Sequence, residues 1–255
     1  MGMKLIPFLT LIEREVYRFG RMATQTIVPP VLSTVLFILI FGYSLGKGIR
    51  EVSGFRYILF ILPGLTGMSV ITNAYSNSST SLFMARVDRS IENIIACPIS
   101  PTKIAAAFIL GGMIRGMAVG VVTLAAAALM TDLAIRSLAL AAFYLAAVSA
   151  IFSSLGVLSG LWAEDWDHLG VFSNFVITPS IYLGGVFYSI KLLPPFWQKV
   201  SLANPMLYLI DGFRFAILGV SDIPPWTGAG IALGFVVLSV GLTGYLFRAG
   251  YKLVV

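Results

Sequence analysis

The sequence predicts an all-α integral membrane protein. It has six transmembrane helices, an N-terminal amphipathic interfacial helix, a short cytoplasmic helix after the second span and a re-entrant helical hairpin on the outer side before the last span. Three observations carry this. Hydrophobic residues make up 58% of the 255 and charged residues only 11%, with a mean hydropathy of +0.93, far from soluble globular composition. Uncharged stretches recur at residues 22–46, 57–85, 104–131 (broken only by Arg115), 137–163, 169–190 and 223–247. Each exceeds the roughly 20 residues a helix needs to cross about 30 Å of hydrocarbon. The charged island at residues 85–103 (ARVDRSIENIIACPISPTK) is enclosed by two such stretches, so it is a short water-facing element between two spans.

The N-terminal segment differs from the spans. Leu5, Leu9, Ile12, Val16 and Phe19 recur at helical spacing, while Thr10, Arg14, Arg18 and Arg21 collect on another face. Residues 1–21 are therefore expected to lie in the interface as an amphipathic helix, and residues 22–255 to form the membrane domain. The basic face favours a cytoplasmic N-terminus facing anionic lipid. With six spans, both termini are then cytoplasmic. The first span is too long for a signal-peptide core and lacks a small-residue cleavage pattern, so it is expected to be retained.

The second span is longer than a bilayer requires, and its later half turns polar. Ser69, Asn73, Ser76 and Thr80 follow helical spacing and share a face, which either lines a polar path or hydrogen-bonds a neighbouring helix. Past this span, Ser90 is positioned to cap the island helix and Glu92 falls in its first turn. Ile91, Ile94 and Ile95 give it an apolar side before Pro98 and Pro101 end it. Such a stripe needs a partner, either the chain's own spans or another polypeptide, unless the segment is only a connector lying on the headgroups.

In the third span Gly112, Gly116 and Gly120 repeat at four-residue spacing, as do Gly156 and Gly160 in the fourth, a pattern that lets helix backbones approach closely. Arg115 lies among the glycines, where a charge costs roughly 2.5–3.5 kcal/mol on insertion scales. It must face protein or water, with Asn73 or a backbone carbonyl as a structural partner, or a substrate role instead. Glu164, Asp165 and Asp167 form an acidic run beside the only histidine, His168, which reads as a solvated loop rather than a metal site. Between residues 191 and 222 the apolar runs 200–210 and 215–221 are too short to cross. Pro194, Pro195, Asn204 and Pro205 punctuate them, and Trp197, Tyr208 and Trp226 supply interfacial aromatics. This is the expected hairpin, with Lys199, Asp211 and Arg214 kept near water.

Several function classes are excluded on the same grounds. Cys97 is the only cysteine, so no intrachain disulfide forms. One histidine and one cysteine do not assemble a nucleophile, base or metal cluster. GYSLGKG at residues 42–48 is one residue short of a phosphate-binding loop and has Gly48 where Ser or Thr is required. No Asp or Glu falls inside the six spans, which argues against ion-coupled transport.

Three segments in order, RSIENIIACPISPTKI at 89–104, YLGGVFYSIKLLPPFWQ at 182–198 and NPMLYLIDGFRFAILG at 204–219, resemble the ABC-2 type permeases of bacterial ABC exporters, closest to the YadH-like branch. The likeness covers nearly the whole chain. It implies a multi-pass inner-membrane permease subunit, not itself an enzyme, in which two six-helix copies pair around a path. Each copy binds a separate cytosolic ATPase that carries ATP and Mg, so this chain binds no cofactor and its remaining partner is membrane lipid, not nucleic acid. By the same resemblance the island is a coupling helix, using Arg89, Ser90, Ile91, Glu92, Ile94, Ile95 and Pro98. The path is bordered by the second and fifth spans, with Asn73, Tyr75, Phe187 and Tyr188 as candidate liners. Lipid-linked compounds, glycolipids, polysaccharides and hydrophobic drugs are the implied cargo classes. A passive or secondary transporter and a membrane scaffold are the alternatives.

Overall fold

The computed structural model describes residues 6–21, 23–41 and 51–253. Lys4, Leu5 and the glycine-rich segment at 42–48 lie outside them. In chain order the elements are α1 (Ile6–Arg21), α2 (Ala23–Leu39), β1 (Glu51–Val52), β2 (Phe55–Arg56), α3 (Tyr57–Val87), α4 (Ser90–Ala96), α5 (Pro101–Met130), α6 (Leu138–Trp162) and α7 (Trp166–Phe172). A π-helical turn (Ser173–Ile177) leads into α8 (Thr178–Leu183), and a 3-10 turn (Ile190–Leu192) precedes α9 (Pro195–Ala203), α10 (Pro205–Leu218) and α11 (Pro225–Arg248).

The all-α expectation holds apart from one small element. β1 and β2 pair antiparallel, Glu51 opposite Arg56 and Val52 opposite Phe55. They turn on Ser53 and Gly54, both at positive φ, as two-residue hairpin turns require. Of the helices, α3, α5, α6 and α11 are long and apolar enough to cross a membrane, and α1 with α2, meeting at 60°, can count as a fifth. The uncharged stretch expected to form one fifth span is divided among α7, the π turn and α8.

α3 is the central helix, packed on α5, α6 and α10. The glycine repeats explain how three helices approach so closely. A Cβ on Gly116 would lie 2.8 Å from the Ala74 Cβ and 3.0 Å from the Ser149 Oγ, and one on Gly160 would lie 2.8 Å from the Ser79 carbonyl. Apolar side chains fill the remaining space in two main clusters. One, towards the hairpin end, includes Ile61, Leu65, Ile71, Phe152 and Phe213. The other, towards the island end, includes Leu82, Phe108, Leu161 and Phe247.

The hairpin of α9 and α10 breaks at Asn204, as its punctuation predicts. The Asn204 Oδ1 caps α10 by accepting the Met206 N–H (3.0 Å), and its Nδ2 donates to the Ser180 carbonyl (2.6 Å). The expectation that Asp211 and Arg214 stay near water is wrong, since both are buried. The reason is a set of backbone groups their side chains meet, the Gly185 carbonyl and the Asp222 and Ile223 N–H groups outside any helix and the Phe60 carbonyl within α3. The Arg214 Nε donates to the Phe60 carbonyl (3.2 Å) and its Nη2 to the Gly185 carbonyl (2.5 Å), with the guanidinium 4.0 Å from the Phe60 ring centre. Asp211 accepts the N–H groups of Asp222 and Ile223 ahead of α11. Asp222 in turn accepts from the Ser189 hydroxyl (2.7 Å) and the Ile190 N–H (2.9 Å). This network ties the loop after α8 to both α10 and the start of α11.

Candidate coupling surface and polar groove

The island is a defined turn and helix. α3 ends at Val87 with Asp88 as its C-terminal cap, Arg89 takes a left-handed conformation (φ 58°), and the Asp88 Oδ1 accepts the Ser90 N–H at 2.9 Å. The capping oxygen therefore comes from Asp88, not from Ser90, which is the first residue of α4. Pro98 follows the helix end, but Pro101 opens α5 instead of closing α4.

The apolar stripe finds its partner within the chain. Ile91 (1% exposed) and Ile94 (8%) join one cluster with Leu82, Ala85, Ile104 and Phe108. The two isoleucines are thus anchors on α3 and α5 and are not offered to another polypeptide. Arg89, Glu92, Ile95 and Pro98 stay exposed, together with Asn93 and Cys97, while Ser90 is half-buried. Together the exposed residues form a mixed polar surface held on an apolar seat.

Beside it, Arg86 is buried and donates to the Gly160 (2.8 Å) and Ala163 (2.9 Å) carbonyls at the end of α6. A cation there satisfies orphan carbonyls of the last turn. The acidic run is a cap and a tether. Asp165 caps α7 by accepting the His168 N–H (2.9 Å), and Glu164 pairs with Lys252 at 3.0 Å. The hydrogen bond from Lys252, reinforced by its charge, holds the Glu164 carboxyl below the usual carboxylate range. Among the described residues no three His, Cys, Asp or Glu side chains are placed to hold a metal ion.

The polar face of α3 borders a groove of about 340 Å³ between α2 and α3, lined by Gln25, Thr34, Phe37, Ser69, Thr72 and Asn73 among others. Arg115 of α5 stands behind it, bonded to the lining residue Asn73. Its Nη2 donates to the Asn73 Oδ1 (3.3 Å) and its Nη1 to the Asn77 Oδ1 (3.4 Å), so of the partners expected from the sequence Asn73 is found, joined by Asn77, which was not expected. Arg18 of α1 donates to the same Asn77 oxygen (3.1 Å) and to Glu15 (3.1 Å). Glu15, fully buried, also accepts from the Ser81 hydroxyl (2.6 Å). The inward face of α1 therefore carries Leu11, Glu15 and Arg18, while Leu9 and Val16 of the predicted apolar stripe are exposed.

The structure does not bring the four expected path liners to one surface. Asn73 lines the groove, and Phe187 packs near Phe37 (ring centres 5.9 Å apart). Tyr75 is buried, its hydroxyl donating to the Ser159 Oγ at 2.7 Å, and so lines nothing open. Its position on the polar half of α3 concealed a partner 84 residues away. Tyr188 is half-buried in the loop after α8. Sequence reasoning missed Glu15, Arg86 and Asp222. An acid on the basic N-terminal helix, one turn from Arg18, was the available signal for Glu15.

The family model described as ABC-2 type transporter matches residues 7–218. The chain is similar to the inner membrane transport permease YadH of Escherichia coli (strain K12), with 42% identity over 237 residues, 93% of either chain. It is also similar to nodulation protein J of Neorhizobium galegae, with 25% identity over 236 residues, 88% of this chain and 87% of the relative.

Proposed function

This chain belongs to the ABC-2 type transporter family, and on that premise we propose that it is the membrane-spanning permease subunit of an ATP-driven exporter of the bacterial inner membrane. Membership makes it a transport component and not a catalyst. Two copies pair, each crossing the membrane six times, with α2 as the first span and the run from α7 to α8 as the fifth. Residues 1–21 form the interfacial element and both termini are cytoplasmic. Two cytosolic ATPase subunits carry ATP and Mg and dock on the α4 surfaces.

The observation that carries this reading is the seating of α4. Its exposed side offers Arg89, Glu92, Ile95 and Pro98 to a partner, while Ile91 and Ile94 are locked into the cluster of α3 and α5. A push on the exposed side is delivered to two long helices at once, and a packed core transmits it as a rigid-body shift. α3 receives that shift, and its Ser69, Asn73, Ser76 and Thr80 face is only partly covered, Ser76 being exposed and the other three half-buried. Hydroxyls and amides on such a face do not favour lipid, so this face borders the path between copies. The cargo is amphiphilic: a lipid-linked compound, glycolipid, polysaccharide or hydrophobic drug-like molecule.

The test is co-expression with a cytosolic ATPase bearing GxxxxGK[ST]. The two should co-purify, and Glu92→Lys with Ile95→Asp should abolish retention while the permease still folds. Normal retention and normal transport-coupled hydrolysis in that double variant would sink the assignment.

A further inference from the structure

We infer that an anionic membrane lipid sits at the Asn73 end of the groove between α2 and α3, its phosphate drawn to Arg115, which bonds the lining residue Asn73, and to Arg18 beside it. The charges there do not balance. Two guanidinium groups share the Asn77 Oδ1, at 3.1 and 3.4 Å. Glu15 is the one acid within salt-bridge distance of Arg18, and among the described residues none is within that distance of Arg115. Residues 1–5, 22, 42–50 and 254–255 contain no Asp or Glu to supply another side-chain carboxylate. The Nε atoms of both arginines and the Asn77 Nδ2 are enclosed without a hydrogen-bond partner. A guanidinium with only two amide oxygens, at 3.3 and 3.4 Å, is poorly satisfied in a low-dielectric setting. An oxyanion with several acceptors supplies what is missing, and the guanidinium fork matches phosphate oxygens two at a time.

Depth and shape point to a lipid headgroup. Asn77 lies twenty residues along α3 from Tyr57, about 30 Å of helix, which is the thickness of the hydrocarbon layer. The amphipathic helix α1 meets α3 at that level through Arg18. The groove beside it is polar at Gln25, Ser33 and Thr72 and apolar at Phe37, Leu65 and Met68. Phosphate and glycerol fit the first set and the start of an acyl chain fits the second.

The experiment uses the purified full-length permease in neutral detergent, without ATPase or nucleotide. Failure here thus leaves the transporter assignment standing, and loss of that assignment leaves this site. Thermal unfolding is followed while dioctanoyl phosphatidylglycerol, dioctanoyl phosphatidylcholine or inorganic phosphate is added at constant ionic strength. The glycerol lipid should raise the melting temperature saturably and the other two should not. Arg115→Gln should weaken that response about tenfold, the scale of one charge-assisted pair, and Arg115→Lys should restore part of it. Ser33→Trp, which fills the groove without touching a charge, should weaken it too and decides the matter if Arg115→Gln does not fold. An equal response to phosphatidylcholine, an equal response to phosphate alone, or an unchanged response in Arg115→Gln or Ser33→Trp would overturn the inference.

Discussion

Replacing Gly116 by leucine tests the packing on which the rest depends. A Cβ at this position would sit 2.8 Å from the Ala74 Cβ, 3.0 Å from the Ser149 Oγ and 3.4 Å from the Val70 carbonyl. Carbon atoms prefer separations of about 3.5–4.0 Å. The Ala74 methyl and the Val70 carbonyl have no rotamer in which to withdraw, so α3 and α5 must separate. Overpacking of this kind costs about 1–3 kcal/mol. At Gly241 nothing lies within 4 Å, and leucine there gains up to about 1 kcal/mol of helix propensity over glycine. The two variants should therefore differ by about 1–4 kcal/mol. At about 2–4 °C per kcal/mol for a chain of this size, that is roughly 2–16 °C in melting temperature. Thermal unfolding of the detergent-solubilised protein reads the difference directly. Equal melting temperatures, or a lower one for Gly241→Leu, would mean that the third-span glycines are not at a helix crossing.

Arg214→Met removes the donors to the Phe60 and Gly185 carbonyls and strands the buried Asp211. The expected loss is about 3–5 kcal/mol, seen as a collapse of folded yield that Arg214→Lys does not recover. Arg89→Gly relieves a left-handed backbone that costs an L-residue about 1–2 kcal/mol. Its melting temperature should hold or rise while ATPase coupling falls; a drop in stability would contradict the turn geometry. Lys252→Ala should let the Glu164 carboxyl return towards its ordinary range, measurable by NMR of labelled glutamate. Because the folded-state value is depressed, the pair's contribution is present above the unfolded pKa and disappears as pH falls through the folded one. Parent and variant should converge in acid, from a small difference at neutral pH because the pair is exposed.

The long spans were legible because their signal is local: α3, α5, α6 and α11 are long apolar runs, with Arg115 the one charge deep inside them, and no other reading competes. The glycine crossings and the pairing of Arg115 with Asn73 were legible for a related reason, since spacing alone puts small residues on one face and confines a membrane charge to few partners. The island helix could be placed, but not the direction of its stripe. Ile91 and Ile94 suit the chain's own core as well as a partner's groove, and only their burial among Leu82, Ile104 and Phe108 decides. Asp211 and Arg214 misled because charge pattern reads as water, whereas the carbonyl that receives the Arg214 Nε belongs to Phe60, 154 residues away. The fifth uncharged run gave no sign of its π turn, which follows from backbone geometry and not from hydropathy. On α1, comparing apolar with basic positions left out Glu15, the residue that meets Ser81 inside the fold.

The central claim is that the exposed side of α4 receives a cytosolic ATPase, and cross-linking from that side tests it most directly. Ile95 is 39% exposed on α4, and Leu129 is 88% exposed at the opposite end of α5. With Cys97 replaced by serine, a single cysteine at each position is treated with a photoactivatable thiol reagent in membranes that contain both proteins. The account predicts an ATPase adduct from Ile95→Cys, altered by ATP, and none from Leu129→Cys. An adduct from Leu129→Cys alone, or Ile95→Cys labelled from outside intact cells by an impermeant thiol reagent, would contradict it.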